Sequence, residues 1–181
     1  ESNGWYVPIR MDDPPSQDVV AGSPYIRWYQ NPAYRDAMNF NIDVGSGGYY
    51  PRDFICPDAT LAIAMAIDGM PRIDESYGFN QTGVQNLRDP GGSLNYNDIP
   101  LLGVKRSDLD NPGAKLQYAD AIHDRIERSG SDDYVGEVDM VGSITAYRHP
   151  GEQVNVLFFD GHIDALNRTE VDRSEAQQQA N

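Results

Sequence analysis

The chain has 181 residues, 39% of them apolar and 10% aromatic, and 28 Asp and Glu against 14 Lys and Arg leave a formal charge of -14. A chain of this length buries about 70% of the surface its unfolded form exposes, so global disorder is excluded and a core needs neither disulfide nor metal to hold it. The acidic balance repels phosphate backbones and anionic headgroups, which argues against nucleic acid or a membrane surface as the main partner.

The first residue is Glu1 and not Met, so the natural start is expected upstream. Residues 1–22 carry Pro8, Pro14 and Pro15 among Asp12, Asp13 and Asp18, which rules out a long helix and predicts an extended N-terminal arm. Over 23–38, prolines at 24 and 32 bracket the apolar Ile26, Trp28 and Tyr29, predicting two short helical turns. The glycines of 44–51 mark a loop, and Phe54-Ile55 is a short apolar stretch ended by Cys56-Pro57. Asp58 followed by strong helix formers predicts a short helix over 58–66, with Asp58 as its cap.

From 80 to 112, Asn, Gly, Asp and Pro recur at nearly every turn, which predicts long ordered loops with one strand at Leu101 to Val104. A further strand is expected over 115–118. Val154, Val156 and Phe158 alternate with Asn155, Leu157 and Phe159, and a second alternation runs from His162 to Leu166. The Asp160-Gly161 pair between them predicts a hairpin closed by a two-residue turn with positive φ at both positions. Residues 167–181 are polar and rich in Gln and Glu, and read as a frayed helix or loose tail. No run approaches the roughly 18 apolar residues of a membrane-spanning helix.

Chemistry-bearing residues are few. Asp160, His162 and Asp164 lie two apart, on one face of a strand, with His149 upstream, and two histidines with carboxylates can make a metal site. Asp160 already has a sufficient role in the turn, however. The clusters Asp108-Leu109-Asp110-Asn111 and Ser131-Asp132-Asp133 offer oxygen ligands of the kind Ca²⁺ takes, without the Gly and Glu spacing of an EF-hand loop, so solvated loop acids are the favoured reading. Neither Gly-x-Ser-x-Gly nor His-Glu-x-x-His occurs. Cys56, the single cysteine, sits between apolar residues and a proline and reads as a small buried hydrophobe. Asn80-Gln81-Thr82 and Asn167-Arg168-Thr169 satisfy the N-glycosylation pattern, a triplet common by chance.

Taken together, several segments resemble the ectodomain of bacterial prepilin-type proteins, the pseudopilin-like group of type II secretion that carries a C-terminal His, a spacer and Asp-Gly. ESNGWYVP at the start is similar to the stretch after the long pilin helix. Phe54-Ile55-Cys56-Pro57-Asp58, Ser76-Tyr77-Gly78-Phe79-Asn80, and Leu109-Asp110-Asn111-Pro112 with Leu116-Gln117-Tyr118-Ala119-Asp120 resemble its successive internal segments. His149-Pro150-Gly151 and Asn155 through His162 resemble the signature itself, with ten spacer residues, 150–159, where the group usually has nine.

The resemblance implies an α+β, pilin-like ectodomain over 23–166 with an antiparallel sheet, and His149, Asp160, Gly161, Cys56, Pro57, Tyr77 and Asn80 as structural residues. His149 is expected to donate to a carbonyl or carboxylate near the hairpin. The function implied is a non-enzymatic filament subunit, extracellular or in the bacterial cell envelope, that assembles with copies of itself and with pilus or secretion machinery. No cofactor is expected, Ca²⁺ being the one ion the loop acids suit, and membrane contact is expected only through an N-terminal helix outside these residues. The alternatives are a secreted fibre subunit that adds its arm to a neighbour's sheet, and a Ca²⁺-dependent binding module or metal-dependent enzyme.

Overall fold

The computed structural model describes residues 10–12, 25–30, 32–39, 48–80, 109, 111–127, 132–139 and 142–171. The fold is α+β, built on a six-stranded sheet with a few short helices. Apart from the main sheet, β1 (Arg10–Asp12) and β2 (Tyr25–Arg27) pair antiparallel, so this part of the expected arm folds back on its own chain. Asn31-Pro32 then separates a 3₁₀ turn, Trp28–Gln30, from α1 (Pro32–Ala37), since proline is tolerated at a helix start and not inside. α2 (Thr60–Ala64) is shorter than expected, and its cap position is Ala59 with no side-chain bond; Asp58 contributes only its carbonyl, to Thr60 N–H.

The main sheet is formed by β3 (Tyr77–Asn80), β4 (Leu116–Ile122), β5 (Arg125–Ile126), β6 (Ile144–Thr145), β7 (Gln153–Phe158) and β8 (Ile163–Asn167). Its order is β5-β3-β4-β7-β8, with β6 beside the far end of β4. The expected antiparallel sheet is corrected to a mixed one, because β5 runs parallel to β3. After β4 the chain crosses β3 through His123 and Asp124, over the face of Gly78, and emerges on its other edge, where a strand that has just reversed must run with β3. The Asp124 carbonyl holds this crossing by accepting from Phe79 N–H at 3.1 Å and from Trp28 Nε1–H at 2.7 Å.

Among the described residues three hydrophobic clusters form, a small one of Ile122, Ile144 and Ala146 and two larger ones on the two faces of the sheet. One of the larger gathers Trp28, Tyr29, Tyr50, Ile55, Phe79 and Phe159, and the other Leu116, Ala119, Ala121, Val154, Val156 and Phe158. β4 is therefore buried on both sides, and a register shift between Leu116 and Tyr118 lets consecutive residues face inward there. β7 buries every second residue, as its alternation demands, whereas β8 is mostly exposed despite the same alternation, with Ile163 72% exposed. The reason is position: β8 ends the strand order, with β7 as its only strand partner among the described residues.

β7 and β8 pair antiparallel from Gln153↔Asn167 to Leu157↔Ile163. The reversal between them takes three residues where two were expected, and of Asp160 and Gly161 only Gly161 has positive φ, at +97°. Phe159 is the cause. It is buried against Phe79 and its N–H donates to the Lys115 carbonyl, so it leaves the β7–β8 ladder and joins the loop, and Gly161 N–H then closes the turn on the Phe158 carbonyl at 2.9 Å. At 168–171 the chain becomes helical, with Asn167 Oδ1 accepting from Glu170 N–H and Glu170 accepting from Asn167 N–H, a reciprocal cap, and Val171 enters the core. The expected strand at Leu101 to Val104, most of the 80–112 loops, and residues 1–9, 13–24 and 172–181 lie outside the described residues.

Candidate functional site

One constellation brings together titratable groups from three distant stretches of chain. Cys56 follows the 3₁₀ turn Arg52–Phe54, and its N–H donates to Ser76 Oγ at 3.0 Å. Ser76 is fully buried and its carbonyl accepts from Ala121 N–H, so the Cys56 loop is tied to the edge of β4. Asp120 projects from β4 on the same face as Tyr118, toward Cys56. His149 arrives from the opposite direction, on a tight turn whose ends, His149 and Gln153, exchange backbone hydrogen bonds and whose Glu152 and Gly151 adopt positive φ.

His149 Nε2 lies 2.9 Å from Asp120 Oδ2 and 3.7 Å from Cys56 Sγ, while its Nδ1 lies 3.1 Å from Asp58 Oδ2. Asp120 Oδ2 also accepts from the Asn155 N–H of β7 at 2.8 Å, and the Asn155 side-chain amide stands 2.7 Å from His149 Nε2. Asp120 is 0% exposed and Cys56 3%, yet Asp120 Oδ1 has no hydrogen-bond partner among the described residues. Burial is the main cause that pushes the Asp120 carboxyl up, against the opposing pull of Asn155, Arg148 and His149. The Cys56 thiol is pushed up too, by burial first and the Asp120 charge second, and Tyr77, beside both, rises to about 12 for the same reasons.

Chemically, the imidazole can donate from both nitrogens to Asp58 and Asp120 when protonated, and to one of them when neutral. The order Cys56, His149, Asp58 has the outline of a nucleophile, base and orienting acid, but the thiol is buried and held toward its neutral form, and Asp120 competes for the nitrogen that would deprotonate it.

The residues singled out in the sequence divide between the two ends of the sheet. His149, Cys56 and Tyr77 converge on Asp120, with Pro57 exposed beside Cys56. Asn80 lies at the other end of β3, its side-chain N–H donating to the Leu116 carbonyl at 2.9 Å, and Asp160 and Gly161 stand at the far end of β7. His149 therefore meets carboxylates on β4 and before α2, not near the β7–β8 reversal. The set His149, His162, Asp160 and Asp164 does not assemble: His162 bonds Asp160 and stacks on Phe158. Asp108, Asp110 and Ser131 of the loop clusters lie outside the described residues. Asn80 is buried and bonded and Asn167 caps a helix, so each glycosylation triplet has a structural use for its Asn. Sequence reasoning did not single out Asp120, Asp58 or Asn155 as partners of His149. The signal for Asp120 was an acid inside the otherwise apolar run of β4, a charge no strand buries without a partner.

Among the described residues no helix is long and apolar enough to cross a membrane. Compared with known proteins, the chain matches no family model, no curated sequence and no solved structure.

Proposed function

We propose that the chain is a structural subunit of an extracellular or cell-envelope filament of the pilus or pseudopilus kind, which assembles with copies of itself and performs no catalysis. The observation that supports this reading is where four residues of the resemblance go: His149, Gly161, Cys56 and Asn80 each hold part of the sheet or the chain beside it. His149 ties the turn before β7 to β4, Gly161 closes the reversal after β7, Cys56 anchors the chain before α2, and Asn80 bonds across to β4. The spacer between His149 and Asp160 is then β7 itself with its flanking turn residues, so its length is a strand length. A pilin-like ectodomain needs such a rigid plate on which a helix can pack. The arm-exchange alternative gains no support from Arg10–Asp12, which already pair with Tyr25–Arg27.

Electron microscopy of the protein expressed from its full gene tests the proposal. Filaments of one repeating subunit are expected, and a particle that stays monomeric at high concentration with its natural N-terminus present would show the proposal to be wrong.

A further inference from the structure

We infer that Cys56, Asp120 and His149 form a site for a divalent transition ion of the Zn²⁺ kind, with Asp58 as the residue that orients the histidine. One donor atom from each of the three lies within 4.8 Å of the others, and all three residues are buried or nearly so. An ion with bonds of about 2.0–2.3 Å in tetrahedral geometry sets its ligand atoms roughly 3.3–3.8 Å apart. The 3.7 Å between Cys56 Sγ and His149 Nε2 already meets this, and the 2.9 Å between Nε2 and Asp120 Oδ2 opens by a few tenths of an ångström when an ion replaces the shared proton.

Two further observations point to a ligand. The oxygen that faces His149 is Asp120 Oδ2, and the buried Oδ1 beside it has no hydrogen-bond partner among the described residues, so the carboxylate is incompletely satisfied, a costly state that binding of a cation by Asp120 would relieve. Asp58 accepts on Nδ1 of His149, the arrangement in which a carboxylate fixes the tautomer that aims the Nε2 lone pair at a metal. The charges also close: a thiolate and a carboxylate neutralise a divalent ion, so the buried centre carries no net charge. The donor set selects the ion. Sulfur, imidazole and one carboxylate suit Zn²⁺ and its neighbours, whereas Ca²⁺ requires six to eight oxygens. The Asn155 side-chain nitrogen stands 2.7 Å from Nε2, so a turned-over amide would bring its oxygen beside the three donors, where it or a water would supply the fourth ligand. Such an ion would staple the chain before α2, the middle of β4 and the turn before β7, three segments joined otherwise by hydrogen bonds.

Titration of the reduced full chain with Co²⁺ as the spectroscopic probe tests this, whether or not the chain polymerises. The expected result is one Co²⁺ per chain, a thiolate-to-cobalt charge-transfer band with tetrahedral d–d absorption, and displacement of both by Zn²⁺. Cys56→Ser should abolish the charge-transfer band in a chain that still melts cooperatively. Asp58→Asn, at a side chain about half exposed, should weaken Zn²⁺ binding about tenfold to a hundredfold in a chain that still melts cooperatively. Absence of a thiolate band at saturating Co²⁺, or its persistence in Cys56→Ser, would overturn the assignment.

Discussion

A methyl group at Gly78 has no space on the sheet. It would stand 2.8 Å from Ala121 Cβ and from the Arg125 backbone carbon, and 3.0 Å from the His123 carbonyl, two of these contacts being backbone that cannot step aside. Gly78→Ala should therefore destabilise the fold by about 1–3 kcal/mol, the usual cost of overpacking, read from denaturant midpoints. Asp124, at the crossing between β4 and β5, makes a different prediction. Burial opposes its charge, but the hydrogen bond from His123 and the charge of Arg27 outweigh burial and hold the carboxyl below its ordinary 3.8. A depressed acid stabilises the fold above its unfolded value and loses that contribution as pH falls through the folded value. Asp124→Asn should accordingly be less stable than the parent at neutral pH, by about 1.5–3 kcal/mol for a charged hydrogen bond, with the two melting curves converging as pH drops below 3.8. Asp120 acts in the opposite sense, its raised carboxyl favouring the fold at low pH, but it is present in both proteins and cancels in the difference.

β7 buries three large apolar side chains along one face. Val154, Val156 and Phe158 are each buried, and at about 1.5–3 kcal/mol per fully buried apolar side chain their contribution exceeds that of any single surface ion pair. The two reversals that flank β7 set its ends, each through residues with positive φ: Gly151 and Glu152 before it, Gly161 after it. Gly161 has open space around the position a Cβ would occupy, so substitution there is opposed by backbone conformation and not by packing. Gly161→Val should cost about 1 kcal/mol or more and Gly161→Asn less, because Asn tolerates left-handed φ and a β-branched residue does not. Equal thermal stability of Val, Asn and the parent would refute this account of the turn.

At -14 per chain, identical acidic faces repel at close range, and a Debye length of about 8 Å at 0.15 M salt softens the repulsion without abolishing it. In the proposed filament, contacts between copies would then come from apolar surface or from cations that bridge acids. Among the described residues Ile67, Val135, Val138 and Ile163 are the large apolar side chains left exposed. Filaments held by apolar contacts should survive both EDTA and high salt, and survival is the expected outcome. Their dissolution by EDTA, seen as loss of sedimentable material, would instead assign assembly to bridging cations. Loss of an ion held by Cys56, Asp120 and His149 should lower the melting temperature without dissolving filaments, because that site lies within one chain.

The alternation of β7, the punctuation at Pro32 and Gly161, and the burial of Cys56 could all be read from the sequence, because each depends on residues a few positions apart and on the period of a strand or the sterics of one backbone angle. The exposure of β8 could not, since its pattern matches that of β7 and only its place at the end of the strand order leaves it uncovered. Nor could the direction of β5, which depends on the chain crossing over β3 at Gly78. The candidate site was legible only as separate residues. His149 and Cys56 each stood out, but what joins them is Asp120, 29 positions from His149 across the sheet, while Cys56 and His149 are 93 apart. Local propensity carries no information on such separations; the burial of both faces of β4 decided them, by forcing an acid into the interior where His149 and the Asn155 N–H meet it.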